Sequence, residues 1–528
     1  MYFEKDKFSI NYDRNKTEIA CLDMLVPQNH LVRKVEAVLD LSFVYDLTRD
    51  LYCHNNGRKN IDTVILFKIV ILNFLFGNNS IRKTCEEAKV NLAYRWYLGI
   101  GISDPIPNYS TFSQNYIRKF AGTDIFEQFF SKVLETLFKY NVIDPSVIFV
   151  DGTHIKANAN KKKFVKQTIK ITTDKYQKAL LDEVNEFRDM NGRDKYPSDD
   201  DNDEGDGNYT IDDETGEIKE KENSSSKVIN ISTTDPDCGM FVKGEHEKQF
   251  AYVDQVACDI NGWVLAYDVN PGNMHDSKAF LPFFENKLLA FNPVTVCADA
   301  GYSTPLCAYT VQKHNCNLLV PYVAPKGIKN EFGKKLFDYI DDIDNYMCPN
   351  GKLLEPWNIS KEGQIQYKIH KSECGNCKFK EVCIKNYSFK TITRHMYDDC
   401  MLLAKNYRLS EEGKYLYKLR KENIERVFAE CKESHGLRIT RFKGLKKNSD
   451  IRAFLYACKN LKKLALLRFP TKEVLKKRMK MKKEKGNNNS FSLLFKIVSK
   501  KTAKIKELWK KLSTILFLTF KFLSLSSL

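Results

Sequence analysis

Three short blocks of this chain hold carboxylates in settings where they could do chemistry together. The first is Val-Asp-Gly-Thr-His at 150–154, with Asp151 at the end of an apolar run. The second is Cys-Ala-Asp-Ala-Gly-Tyr at 297–302, with Asp299 at the end of another. The third is Ile-Glu-Arg-Val-Phe-Ala-Glu-Cys-Lys at 424–432, a stretch with helical periodicity that carries Glu425. Hard cations such as Mg²⁺ and Mn²⁺ take carboxylate and water oxygens and leave positions open for phosphate. Two aspartates on adjacent strand ends and a glutamate on a helix packed against them could hold such ions and drive phosphoryl transfer on a nucleic acid. Glu422 and Glu430 are rival third carboxylates. Glu425 is preferred because Ile424, Val427 and Phe428 would anchor its helix, and Lys432 follows two helical turns along the same face.

A second constellation is Cys374-x2-Cys377-x5-Cys383, with Cys348-Pro-Asn-Gly upstream. A Cys-x2-Cys pair puts two thiolates on one tight turn, and Cys348 and Cys383 would complete a tetrahedral structural Zn²⁺ site. Reduced, unmetallated thiols are the competing reading. His154 and His275 lie close to Asp151 and Asp276, where either could orient a metal-bound water or serve only the structure. Asp276 itself reads as a helix cap. A calcium loop starting at Asp200 is excluded, because its twelfth position is Ile211 instead of Glu.

The acidic blocks and their flanks resemble the insertion-sequence transposases of the DDE, RNase H-like superfamily. The likeness is to the branch whose third block carries a Tyr, Arg, Glu, Lys pattern. It rests on Val150-Asp-Gly-Thr-His-Ile-Lys-Ala-Asn-Ala-Asn, Asn270-Pro-Gly-Asn-Met-His-Asp-Ser, Ala298-Asp-Ala-Gly-Tyr-Ser-Thr and the set Arg420, Ile424-Glu-Arg-Val-Phe, Lys432 and His435-Gly-Leu-Arg. Val64-Ile-Leu-Phe-Lys and Pro107-Asn-Tyr-Ser-Thr-Phe-Ser extend it to the N-terminal part. The resemblance implies Asp151, Asp299 and Glu425 as catalytic ligands of Mg²⁺ or Mn²⁺, and Lys432 and Arg420 as contacts to DNA phosphate. The usual block has its arginine four residues before the glutamate. Here Lys421 stands there and Arg420 is one residue earlier, so either could take the role. The resemblance further implies DNA as partner (terminal inverted repeats and target), action as a homo-oligomer on paired ends, and 3′-hydroxyl strand transfer. A domesticated or inactive DNA-binding derivative and a nonmobile RNase H-like nuclease are the alternatives.

The elements needed to position these residues are legible in outline. Residues 1–30 read as an extended lead-in, and apolar positions at three- and four-residue spacing make 30–140 helical, with Asp62 or Thr63 capping one helix and another starting near Ser110. Residues 1–140 are expected to be a helical DNA-binding domain, an ordinary helical domain with a solvated basic face being the competing reading. Arg82, Lys83, Arg95, Arg118 and Lys119 supply its basic face. Residues 141–324 read as the first part of an RNase H-like mixed-sheet α/β core. Within it, a strand at 146–151 ends on Asp151, 160–187 is lysine-rich and helical, and a hairpin turns at Ile260-Asn-Gly between 250–257 and 263–269. A helix spans 277–290, and strands follow at 294–298 and 317–323. Residues 194–226 form an acidic, disordered insertion. Residues 325–400 are the inserted Cys-bearing subdomain, 401–470 return to the core with the Glu425 helix, and 471–528 are a basic tail.

Charge is consistent with a polyanionic partner. The net is +17 from 84 basic and 67 acidic side chains. The tail holds 16 Lys/Arg against 3 Glu, and 199–220 holds 11 Asp/Glu against one Lys. Fifteen cysteines, mostly single within apolar runs, are not a disulfide framework. The start MYFEKDKFSI has no signal-peptide pattern, and a cytoplasmic setting is expected. No apolar run reaches membrane-spanning length, so no membrane partner is expected.

Overall fold

The computed structural model describes residues 17–470, apart from 18, 54–59, 79, 171–174, 191, 193–194, 197–208, 212–217, 221–225, 244–246, 322–332 and 385–387. Most of the acidic stretch, the start of the lead-in and the whole basic tail therefore lie outside the described residues. The chain forms two compact units. One takes in the described residues up to Tyr140, Ser434–Gly436 and those from Ala453 onward; the other comprises Asn141–Glu433 and Leu437–Arg452.

The first unit is helical, as its periodicity predicts. Helices run over Leu31–Glu36, Phe43–Thr48, Thr63–Leu75, Ile81–Val90, Leu92–Leu98, Tyr109–Asn115 and Ile125–Lys139. Asp62 caps the third of these by accepting from Val64 N at 2.8 Å, and Ser80, Asn91 and Asn108 cap those that follow. The core is aromatic: Phe67 meets Phe120, Phe126, Phe129 and Phe454 at ring separations of 5.3 to 6.4 Å. One residue of the expected basic face is not on a face. Arg95 is buried and donates to the carbonyls of Lys89, Gly101 and Asp104. Its planar fork gathers backbone acceptors from both sides of a helix, a use that Lys could not match.

The second unit is α/β and holds a six-stranded mixed sheet. Its strands are β1 (Val147–Lys156), β6 (Gly239–Lys243), β7 (Glu247–Asp259), β8 (Val264–Pro271), β9 (Thr295–Cys297) and β10 (Asn317–Leu319). The intervening β2 (Phe164–Lys170) pairs with β5 (Ser226–Ser232), and β3 (Tyr209–Ile211) with β4 (Ile218–Glu220). In the mixed sheet the order is β10-β9-β1-β7, with β8 and β6 both on the far side of β7. The β1–β7 and β7–β8 pairs are antiparallel, and β1–β9 and β9–β10 are parallel. Helices Asp276–Phe283 and Pro305–Gln312 cover a core that includes Ile148, Val150, Phe280, Val296 and Leu318.

Two local expectations are corrected. The strand carrying Asp151 does not stop there but continues to Lys156, because antiparallel β7 supports it throughout, from Ile148 opposite Asp259 to Lys156 opposite Ala251. What ends near Asp151 is the parallel neighbour β9, whose last pair is Phe149 with Cys297. The lysine-rich stretch 160–187 is also not one helix. Phe164–Lys170 is a strand and only Lys175–Met190 is helical. Antiparallel pairing with Ser226–Ser232, distant in sequence, decides it.

The interruption at 325–400 forms a second, antiparallel sheet. Strands β11 (Asp338–Ile340), β12 (Asn345–Met347), β13 (Leu353–Ile359), β14 (Gln364–Lys368) and β15 (Thr391–His395) pair in sequence order. Long helices Glu411–Ser434 and Leu445–Arg468 follow. Among the described residues, no helix is long and apolar enough to cross a membrane.

Candidate active site

Asp151 and Asp299 stand at corresponding positions of adjacent parallel strands. Val147 pairs with Thr295 and Phe149 with Cys297, and each aspartate lies two residues beyond that last pair. Successive side chains alternate faces, so equal offsets put both aspartates on the same side. Asp151 Oδ1 accepts from Gly152 N at 2.9 Å, and Asp299 Oδ1 accepts from Gly301 N at 2.8 Å.

A third carboxylate joins them. Asp276 opens helix Asp276–Phe283, and the cap of that helix is its neighbour His275, whose ring accepts from Ser277 N. Asp276 is thereby released from the capping role its position suggested. Its backbone carbonyl accepts from Gln255 Nε2 at 3.0 Å. Burial pushes the Asp151 carboxyl up to about 6; Arg420 opposes this, while Asp299 and Asp276 add to it. Asp276 is raised as well, by burial and then by the charge on Asp299.

Arg420 answers this charge. Its guanidinium pairs with Asp151 Oδ2 at 2.9 Å, and both side chains are largely buried. Arg420 belongs to the buried stripe of helix Glu411–Ser434, with Leu416, Ile424, Val427 and Cys431. Lys421, the rival in the sequence pattern, is exposed. Tyr417, one turn before Arg420, lies within electrostatic reach of Arg420 and Asp299. It went unnoticed in the sequence reading, although the tyrosine of the Tyr, Arg, Glu, Lys pattern was the signal for it.

Glu425 is exposed on the same helix. At about 100° per residue it stands roughly 140° around from Arg420, off the buried stripe. Lys432 is half-buried two turns further on. The histidines are structural: His154 stacks on Phe241 at 3.6 Å and its Nε2 meets Gly272 O at 3.2 Å, while His275 caps its helix.

The four cysteines come together. Cys348, Cys374, Cys377 and Cys383 line one small cavity with Phe337, Ile369 and Phe379. Cys348 sits on a tight turn in which Gly351, at φ +73°, donates to Cys348 O, and Lys352 N donates to Cys348 Sγ at 3.4 Å. Phe379 N likewise donates to Cys377 Sγ at 3.4 Å. Burial raises Cys374 and Cys383, and the other thiols of the group raise them further.

As placed, no group of three or more His, Cys, Asp and Glu among the described residues is closed enough to hold a metal ion. The donor chemistry at the aspartates suits one nonetheless. Three carboxylates share a partly buried field, and the fully buried Tyr302 hydroxyl beside them has no hydrogen-bond partner among the described residues.

A mixed sheet that sets paired aspartates beside the tip of a parallel strand, backed by a helix-borne arginine, defines an enzyme core with an acidic centre. Family comparison makes this specific: residues 20–118 match a transposase domain (DUF772) and residues 347–465 match a transposase DDE domain. On these matches the chain is an insertion-sequence transposase of the DDE type, whose DDE domain implies an RNase H-like fold and whose family acts on DNA. The second match spans Arg420, Glu425, Lys432 and the four cysteines, whereas Asp151 and Asp299 lie between the matched stretches. No curated protein and no solved structure matches the chain.

Proposed function

We propose that this transposase binds the terminal inverted repeats of its own insertion sequence through its N-terminal helices, cuts DNA at the element's ends, and joins the freed 3′-hydroxyls to target DNA. The observation that carries the reading is the matched register of Asp151 and Asp299 beside Arg420. Asp151, Asp299 and Glu425 would hold two Mg²⁺ or Mn²⁺ ions, which when bound activate the attacking oxygen and stabilise the leaving one. Arg420 fixes the Asp151 carboxylate, while Lys421 and Lys432 face the DNA phosphates. The protein acts as a homo-oligomer on paired ends, in the cytoplasm.

Cys348, Cys374, Cys377 and Cys383 bind one structural Zn²⁺. Support comes from their shared cavity and from the backbone amides aimed at two of the sulfurs.

Cleavage of DNA bearing the element's own ends, with Mg²⁺ present, tests the central claim. Wild-type protein should nick at the ends and transfer them to a plasmid. Equal cutting by Asp151→Asn would overturn the assignment.

A further inference from the structure

The glycines in the two aspartate blocks stand where the backbone does not demand glycine. Neither Gly152 nor Gly301 has a positive φ, so an L side chain would be allowed by conformation alone. What opposes it is space: the same carboxylate stands against both positions, and at Gly301 Asp299 Oδ1, 3.1 Å from the Cβ point, adds to it. A Cβ on Gly152 would stand 2.9 Å from Asp276 Oδ1, and a Cβ on Gly301 would stand 3.0 Å from Asp276 Oδ2. The two blocks thus form a cradle around one carboxylate, each block contributing its catalytic aspartate and the gap beside it.

The rest of the cradle is built to the same end. Gln255 lies opposite Gly152 on the neighbouring strand, is fully buried, and holds the Asp276 backbone through its carbonyl. Tyr302 is also fully buried, its hydroxyl lies 3.6 Å from the Cβ point of Gly152, and it has no hydrogen-bond partner among the described residues. A buried hydroxyl left unpaired is costly unless something in the working protein occupies it.

We propose that Asp276 is a further ligand of the acidic centre, holding the divalent cation together with Asp151 and Asp299, and that Gly152 and Gly301 are glycine to admit its carboxylate. The proposal rests on the transposase reading given above. A bound cation and its waters would give the Tyr302 hydroxyl its missing partner.

The test is Mn²⁺ binding to the full-length protein without DNA, by isothermal titration and by electron paramagnetic resonance. Asp276→Asn should weaken Mn²⁺ binding by about 10- to 100-fold, as Asp299→Asn should. Gly152→Ala, which leaves all three carboxylates in the chain and whose Cβ would meet no carboxylate but that of Asp276, should weaken it in the same direction, and it serves as the test if Asp276→Asn fails to fold. Wild-type affinity in Asp276→Asn and Gly152→Ala, with binding lost in Asp299→Asn, overturns this proposal and leaves the transposase reading intact. Mn²⁺ binding that is undetectable in wild type, or unchanged in Asp151→Asn and Asp299→Asn, overturns both.

Discussion

Asp151 and Asp299 sit at the same step beyond one shared rung, the parallel pair Phe149–Cys297. The described residues between them include strands β2 to β9 and the helices Lys175–Met190 and Asp276–Phe283, yet the register returns the second aspartate to the level of the first. The centre is thus made by backbone pairing, and side-chain packing adds the charge balance. Arg420 pairs with Asp151, and its own burial ties the helix Glu411–Ser434 to the sheet.

In the metal-free protein the Asp151 carboxyl, lifted to about 6 by burial, holds its proton more tightly when folded than when unfolded. A raised acid pKa favours the folded state at low pH, and that advantage is lost as pH rises from about 4 through about 6. Mg²⁺ should therefore raise the melting temperature more at pH 7 than at pH 5. Arg420→Ala removes a charge that lowers this pKa, so the carboxyl resonance of Asp151 should titrate at higher pH by NMR.

Arg452 and Asp254 form a second buried ion pair, 2.7 Å apart with exposures of 3% and 0%. Removing one partner strands the other charge. Asp254→Ala should cost about 3–5 kcal/mol in a urea titration. The double variant Asp254→Leu/Arg452→Met should recover much of that loss, since well-packed apolar pairs often replace buried ions without penalty.

Much of this architecture was readable beforehand, and the failures share a cause. The helix cap at Asp62, the helix start near Ser110 and the hairpin at Ile260-Asn-Gly are local, so sequence shows them. The extension of β1 to Lys156 and the strand at Phe164–Lys170 depend on partners 56 to 103 residues away, which spacing alone does not reveal. Asp276 was misread for the same reason: its position in a helix's first turn is a local signal, whereas the glycines around it come from two other segments. Arg95 looked like a surface cation because nothing nearby announces that carbonyls at Lys89, Gly101 and Asp104 would surround it.

Zinc at the cysteine cavity has a direct measurement. Protein purified without chelator should contain about one Zn²⁺ per chain by elemental analysis. Cys374→Ser should lower that content and the melting temperature together. Zinc-free protein whose stability is unmoved by Cys374→Ser would dismiss the site.

Arg95→Lys should destabilise the helical unit by about 2–3 kcal/mol, because an ammonium cannot reach all the carbonyls that the guanidinium spans and each stranded buried acceptor is costly. Thermal unfolding of Arg95→Lys beside Arg118→Ala checks this. Arg118 is exposed, and its loss should fall within about 0.5 kcal/mol of wild type.

Glu425 offers the sharpest separation of chemistry from stability. Its carboxylate is exposed on the helix that buries Arg420, and it serves no packing role there. Glu425→Gln should leave the unfolding free energy within about 0.5 kcal/mol of wild type. Cleavage at the element's ends should nevertheless fall by about 100-fold or more, the scale seen when a group acting on transition-state charge is removed. Glu422→Gln and Glu430→Gln, on the same helix, should keep most of the activity. If Glu422→Gln or Glu430→Gln is the variant that stops cutting while Glu425→Gln does not, the third carboxylate has been placed on the wrong residue, although the aspartate pair set by β1 and β9 would be untouched by that result.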